Sequence, residues 1–135
     1  MNQQEGDPVM PLFALKSLSQ NVALEHAESD YKTAKRAEQF RVSREAIYFP
    51  AFPGTQYLPF EALEFVKVRD TALSVKGTCG KQLPMTCLRL SYDGEFYKDF
   101  LFEKRGKVDE ILDLIRERRP DLEMDVAAPS RMLDR

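Results

Sequence analysis

Residue types that carry common chemistries are scarce in this chain. It has no tryptophan, one histidine (His26) and two cysteines (Cys79 and Cys87). Any histidine-dependent triad or zinc site would have to use His26, whose neighbours Glu25 and Glu28 are typical of an exposed helix segment. Two cysteines without a nearby histidine favour a reduced compartment over a disulfide scaffold or a metal site. We therefore expect no metal and no cofactor.

Long apolar runs and a large excess of one charge are also missing. No apolar stretch approaches the roughly 18 residues of a membrane span, and the first residues lack the basic start and apolar core of a secretory signal. Twenty basic and 22 acidic residues give a net charge of −2, which argues against a surface built for nucleic acid. The sequence thus predicts a cytoplasmic protein and disfavours nucleic acid as a partner.

The composition is that of a folded domain. In 135 residues, 43% are hydrophobic and 31% charged, which suits one domain with a sizeable core. Near the N-terminus, Leu12, Leu15, Leu18 and Val22 are helically spaced. We expect a tail followed by a helix that ends near Ser29, with an extended segment beginning in the low thirties.

From Phe40 onward, turn signals at short intervals predict antiparallel strands. The predicted short strands are residues 40–42, 46–49, 56–58 and 63–69. Ser43-Arg44-Glu45 and Pro53-Gly54 are the turns between the first three. Residues 70–81 are predicted to be a longer connection, with room for a short strand at 73–75.

A final hairpin followed by one amphipathic helix organises the second half of the chain. Asp93-Gly94 is the turn signal, and a loop that includes Glu95 places Leu88 opposite Phe100, so that the apolar residues of both strands share a face. Four apolar residues at i, i+3, i+4 and i+7 then form one helical stripe: Val108, Ile111, Leu112 and Ile115. The predicted fold is mainly β (α+β). It is a small bent antiparallel sheet or barrel of about six to seven strands, capped by a C-terminal amphipathic helix and preceded by an N-terminal helical extension.

The order of short strands, final hairpin and closing helix resembles the pleckstrin-homology-like (PH-like) superfold. The segments Phe40-Arg41-Val42-Ser43, Ile47-Tyr48-Phe49 and Tyr57-Leu58-Pro59-Phe60, with the strand-helix join from Phe100 to Ile115, look like small bacterial PH-like domains. The resemblance covers residues 31–119, which leaves 1–30 as a tail and helix and 120–135 as a C-terminal tail. Members of this superfold bind phosphoinositides, peptides or other proteins. The resemblance therefore implies a binding module, although a shared fold does not fix a function.

A basic cluster in residues 32–44 is the first candidate site. Its members are Lys32, Lys35, Arg36, Arg41 and Arg44. In PH-like domains that bind phosphoinositides, cations on the first two strands and their connecting loop contact the head group, so the resemblance implies anion binding here. A solvated face of a strand or helix explains the same charges.

An aromatic and proline-rich corner is the second candidate. It contains Phe49, Phe52, Tyr57 and Phe60. Most of these rings are expected to line the core, with Phe52 and Tyr57 as candidates for an interface, either homotypic or with a partner protein.

Three functions compete on this sequence. The favoured hypothesis is a non-catalytic binding or adaptor domain for protein–protein interaction. The first alternative is binding of an anionic lipid head group at a membrane surface through residues 32–44. The second is a small enzyme that uses Cys79 or a carboxylate, although Gly77-Thr78-Cys79-Gly80-Lys81 lacks the spacing of a phosphate-binding loop.

Overall fold

The chain divides into two compact units, each with its own β-sheet. The computed structural model describes residues 15–74 and 82–128, and the units are Met1–Phe60 and Glu61–Arg135. The predicted mainly β class is confirmed. The predicted barrel is wrong, because the described strands form a five-stranded sheet and a four-stranded sheet and not a closed barrel.

The described part of the first unit contains five short strands and one short helix. They are β1 (Leu15–Ser17), α1 (Ala27–Thr33), β2 (Lys35–Ala37), β3 (Phe40–Val42), β4 (Ala46–Ala51) and β5 (Gly54–Pro59). The strand order is β1-β5-β4-β3-β2. Strands β2 to β5 are antiparallel neighbours, and β1 adds to the edge of β5 in parallel.

The segment before α1 differs from its prediction. Leu15–Ser17 is a strand, whereas the helical spacing predicts a helix there, and the helix of the structure is Ala27–Thr33. Local hydrogen bonds explain the difference, because the Ser17 hydroxyl donates to the Val22 carbonyl at 2.6 Å and the Ser19 hydroxyl accepts from the Val22 amide at 3.0 Å. Such side-chain bonds to nearby backbone compete with helix formation.

In the second unit, the residues that the structure describes form four strands and the long helix. They are β6 (Leu63–Ser74), β7 (Gln82–Tyr92), β8 (Phe96–Phe102), α2 (Arg105–Arg118) and β9 (Met124–Val126). A 3-10 helix, Phe60–Ala62, precedes β6 in the chain. The strand order is β8-β7-β6-β9, with β9 parallel to β6 and the other pairs antiparallel.

The predicted hairpin and helix are confirmed. Leu88 pairs with Phe100, and Thr86 with Phe102, which is the register of a three-residue loop. Within that loop Asp93 and Gly94 have φ angles of 52° and 89°, values that suit a short loop with glycine at its centre. The four side chains of the helical stripe are at most 1% exposed, and α2 packs against β7 and β8.

Two segments that the sequence predicts to be irregular contain strands. Strand β6 continues to Ser74, so residues 70–74 of the predicted connection are strand and pair with the start of β7, which begins at Gln82. Residues 75–81 lie outside the described part. Met124–Val126, in the predicted C-terminal tail, forms β9. The domain boundaries at residues 30 and 119 stay a prediction. Neither helix in the described ranges has the length and apolar character needed to cross a bilayer.

Candidate functional site

The five candidate cations are spread over the helix and strands of the first unit. Lys32 is on α1, Lys35 and Arg36 are on β2, Arg41 is on β3, and Arg44 is in the β3–β4 turn. Arg36 and Arg41 are direct cross-strand partners, and such partners project from the same face of a sheet. Lys35 projects from the opposite face because side chains alternate along a strand. The fold therefore brings Arg36 and Arg41 together and separates them from Lys35.

Arg36 and Arg41 line a groove of about 250 Å³, called here the arginine groove. The tight β2–β3 turn positions them: Glu38 has a φ of 59°, and the Arg36 Nε donates to the Glu38 carbonyl at 3.1 Å. Other side chains lining the groove include Tyr31, Gln39, Tyr48 and Phe49. The groove thus combines two guanidinium groups with aromatic rings and one amide.

Among the described residues, no carboxylate forms an ion pair with the two arginines of the arginine groove. Like charges directly opposite on neighbouring strands destabilise a sheet. In the described part of the chain, none of the five cations forms an ion pair with Asp or Glu. Arg41 instead lies over the Tyr31 ring, with its guanidinium carbon 5.4 Å from the ring centroid. An anionic group between the two arginines would relieve their repulsion and accept their N–H groups.

Helix α1 contributes one wall of the arginine groove through Tyr31. The Tyr31 ring contacts the Tyr48 ring edge-on, with centroids 5.1 Å apart. Asp30 precedes Tyr31 in α1. Its Oδ2 accepts hydrogen bonds from the Tyr48 hydroxyl at 2.6 Å and from the Ser43 hydroxyl at 2.5 Å. The pKa of Tyr48 is well above its ordinary value, mainly because the side chain is buried and secondly because its hydroxyl donates to Asp30. The Tyr48 hydroxyl therefore stays protonated and keeps its role as donor.

The two interface candidates differ completely in exposure. Phe52, in the β4–β5 turn, is 97% exposed, whereas Tyr57 is 3% exposed. The Tyr57 ring packs beside Tyr48, and its hydroxyl accepts a hydrogen bond from the Leu24 amide at 3.1 Å. A surface interface can therefore use Phe52 and not Tyr57. Phe49 and Phe60 are buried, as expected for most of the corner.

The residues considered for an enzyme do not assemble into a site in the described part. His26 is exposed, with its Nε2 3.9 Å from a Glu25 carboxylate oxygen, and the described residues contain no group of three potential metal ligands. Cys79 and the rest of 77–81 lie outside the described residues. Cys87 is buried on β7, and its burial and the nearby Asp99 carboxylate raise the pKa of the thiol, which makes it a poor nucleophile at neutral pH.

Sequence reasoning missed two polar networks. One is the Arg89–Asp99 pair on β7 and β8, a two-pronged contact at 2.7 and 3.0 Å that lowers the pKa of Asp99. The predicted hairpin register already implied it, because Leu88 opposite Phe100 puts Arg89 opposite Asp99. The other is Asp30 with Tyr48 and Ser43, for which no sequence signal exists since the partners are 18 and 13 residues away.

The arginine groove is the best-defined candidate site in the described residues. It offers forked N–H donors and aromatic surface, a combination that can bind an anion. Comparison with protein-family models, curated proteins and solved structures finds no match for this chain.

Proposed function

We propose that this protein is a non-catalytic, cytoplasmic binding domain with a PH-like fold, and that the arginine groove binds an anionic ligand. One observation carries the proposal: Arg36 and Arg41 face each other across β2 and β3 without a carboxylate partner among the described residues. The element order supports the fold, since seven strands, β2 to β8, precede α2. The geometry favours the anion-binding hypothesis over the protein–protein hypothesis that the sequence favoured.

The size of the arginine groove and its chemistry indicate the class of ligand. A volume of about 250 Å³ lies below the usual range of pockets that enclose a drug-sized molecule, so the groove suits a head group rather than a whole lipid. Arginine pairs with phosphate through parallel hydrogen bonds. We therefore propose a phosphate-bearing head group at an anionic membrane surface as the ligand, with a free phosphate ester as the soluble form of the same chemistry.

The double substitution Arg36→Gln and Arg41→Gln is expected to weaken binding to anionic vesicles by at least about tenfold, because it removes two charged hydrogen-bond donors. Binding is measured by co-sedimentation with phosphatidylcholine vesicles that contain or lack a phosphoinositide, and by titration with a soluble inositol phosphate. The matched control is Lys35→Gln with Arg44→Gln, which removes the same charge from cations that do not line the groove.

The control double variant should keep most of the binding. Equal loss in both double variants would mean that general charge attraction, not the groove, binds the vesicles. Absence of binding by the unaltered protein to both probes would refute anion binding as the function.

A protein-binding role is the second candidate, and the exposure of Phe52 favours it. A phenylalanine that is 97% exposed contributes almost nothing to the core, yet exposed aromatic residues are enriched at protein interfaces. Phe52→Ala is expected to change the free energy of unfolding by less than about 0.5 kcal/mol. It should also remove a subset of the proteins that the unaltered chain captures from a native lysate, as identified by mass spectrometry.

Phe96→Ala provides the comparison for that experiment, because Phe96 is 49% exposed and stacks on Tyr92. If the Phe52 and Phe96 variants capture the same proteins as the unaltered chain, Phe52 is not an interface residue.

A further inference from the structure

We propose that Asp30 is the positioning residue of the arginine groove, and that binding in the groove is coupled to the docking of α1 on its sheet. This inference rests on the proposed anion-binding function and adds to it a way in which the site is assembled. It concerns contacts within the first unit.

Helix α1 cannot be stable by itself. It has only seven residues, none of them fully buried, and no side-chain hydrogen bond caps its N-terminus at His26. Isolated helices shorter than about 12 residues are marginal in water. The position of α1 therefore depends on its contacts with the sheet, which are the partly buried side chains of Ala27 and Tyr31 and the carboxylate of Asp30.

Among the contacts that dock α1 on the sheet, the hydrogen bonds of Asp30 are the directional ones. Its Oδ2 accepts from two hydroxyls that are fixed to the sheet, those of Tyr48 and Ser43. Tyr48 is 1% exposed, and the Ser43 hydroxyl also accepts from the Glu45 amide at 2.9 Å, so both donors have a defined place. Hydroxyl donors to a carboxylate form short, strong hydrogen bonds. Asp30 thus sets where α1 sits.

The same docking builds the arginine groove. Tyr31 follows Asp30 directly, lines the groove and lies against the Arg41 guanidinium. When α1 moves away, the groove loses a wall and Arg41 loses its aromatic neighbour. A ligand that contacts Arg41 and Tyr31 binds the docked form better, and by linkage it must then stabilise the docking of α1 to the same extent.

The Asp30→Asn variant distinguishes a positioning role from an effect of charge, because the two explanations predict opposite changes in anion binding. If charge alone mattered, Asp30→Asn would strengthen anion binding by removing a negative charge from α1. If Asp30 positions the wall, the same variant weakens binding, and we expect a loss of roughly five- to tenfold in affinity for the phosphoinositide vesicles. Glu28→Gln is the matched control, because it removes the same charge from an exposed position of α1.

Ser43→Ala is the second variant, since it removes one donor to Asp30 while leaving the carboxylate and the lining of the arginine groove intact. It should weaken binding in the same direction by a smaller factor. Hydrogen exchange of the α1 amides is the second readout. The vesicles or the inositol phosphate should slow exchange in the unaltered protein and fail to do so in the Arg36→Gln, Arg41→Gln double variant.

The outcomes distinguish the two proposals. Weakened binding in the Asp30 and Ser43 variants, with Glu28→Gln at or above the affinity of the unaltered protein, supports the inference. Unchanged or tighter binding in the Asp30 variant, while the double arginine variant loses binding, overturns the positioning role and leaves the function standing. Absence of binding by the unaltered protein overturns both.

Discussion

Replacing Phe100 by alanine is expected to lower the free energy of unfolding of the second unit by about 3 to 5 kcal/mol. Phe100 lies on β8 opposite Leu88, and both side chains are fully buried. The hairpin to which they belong packs against α2. Truncation removes the transfer free energy of the ring and leaves a cavity that neighbouring side chains fill only in part. Urea denaturation followed by far-UV circular dichroism measures the change.

Leu114→Ala is the control for this experiment. Leu114 is on α2 but is only partly buried, at the margin of the stripe, so its truncation should cost well under half as much as that of Phe100. Equal losses for the two variants would contradict the conclusion that the buried stripe and the hairpin face form the core of this unit.

Tyr48→Ala is expected to have a comparable effect in the first unit, about 3 to 5 kcal/mol, because Tyr48 is 1% exposed and its ring contacts Tyr31 and Tyr57. Tyr48→Phe keeps the ring and removes only the hydroxyl that donates to Asp30. It should cost about 1.5 to 3 kcal/mol, the usual range for a hydrogen bond to a charged group. The difference between the two variants separates packing from hydrogen bonding.

The same residue gives a pH dependence with a defined sign. The pKa of Tyr48 is raised in the folded protein, whereas in the unfolded chain it is near 10. Above pH of about 10, the unfolded chain loses this proton and the folded chain keeps it, so stability falls as the pH rises. Denaturation between pH 8 and about 11 should show a shallower alkaline loss for Tyr48→Phe than for the unaltered protein. An unchanged slope for Tyr48→Phe would contradict the assignment.

The hairpin and the long helix could be predicted because their information is local. Three loop residues determine the pairing of Leu88 with Phe100, and a period of 3.6 residues identifies the buried stripe of α2. The two elements also follow each other in the chain, so the apolar face of the helix and the apolar face of the hairpin could be matched without knowing the rest of the fold.

The short edge strands could not be predicted. Strands β1 and β9 have three residues each and pair in parallel with β5 and β6, whose paired residues lie tens of positions away in the chain. Three residues are too few to show a period, and parallel pairing leaves no turn signal between partners. The helical spacing around Leu15 was therefore misleading, and the segment 120–128 contained a strand that no local pattern indicates.

In the candidate site, too, some features could be predicted from local sequence and others could not. Composition was enough to predict that residues 32–44 are rich in cations, and the Pro-Gly signal was enough to place Phe52 in a turn. Strand pairing and folding were needed to show which cations meet, that Tyr57 is buried, and that Asp30 joins α1 to Tyr48 and Ser43. These features are not local, because pairing and burial bring together side chains that are distant in sequence, and a hydrogen bond forms only where both partners have been placed.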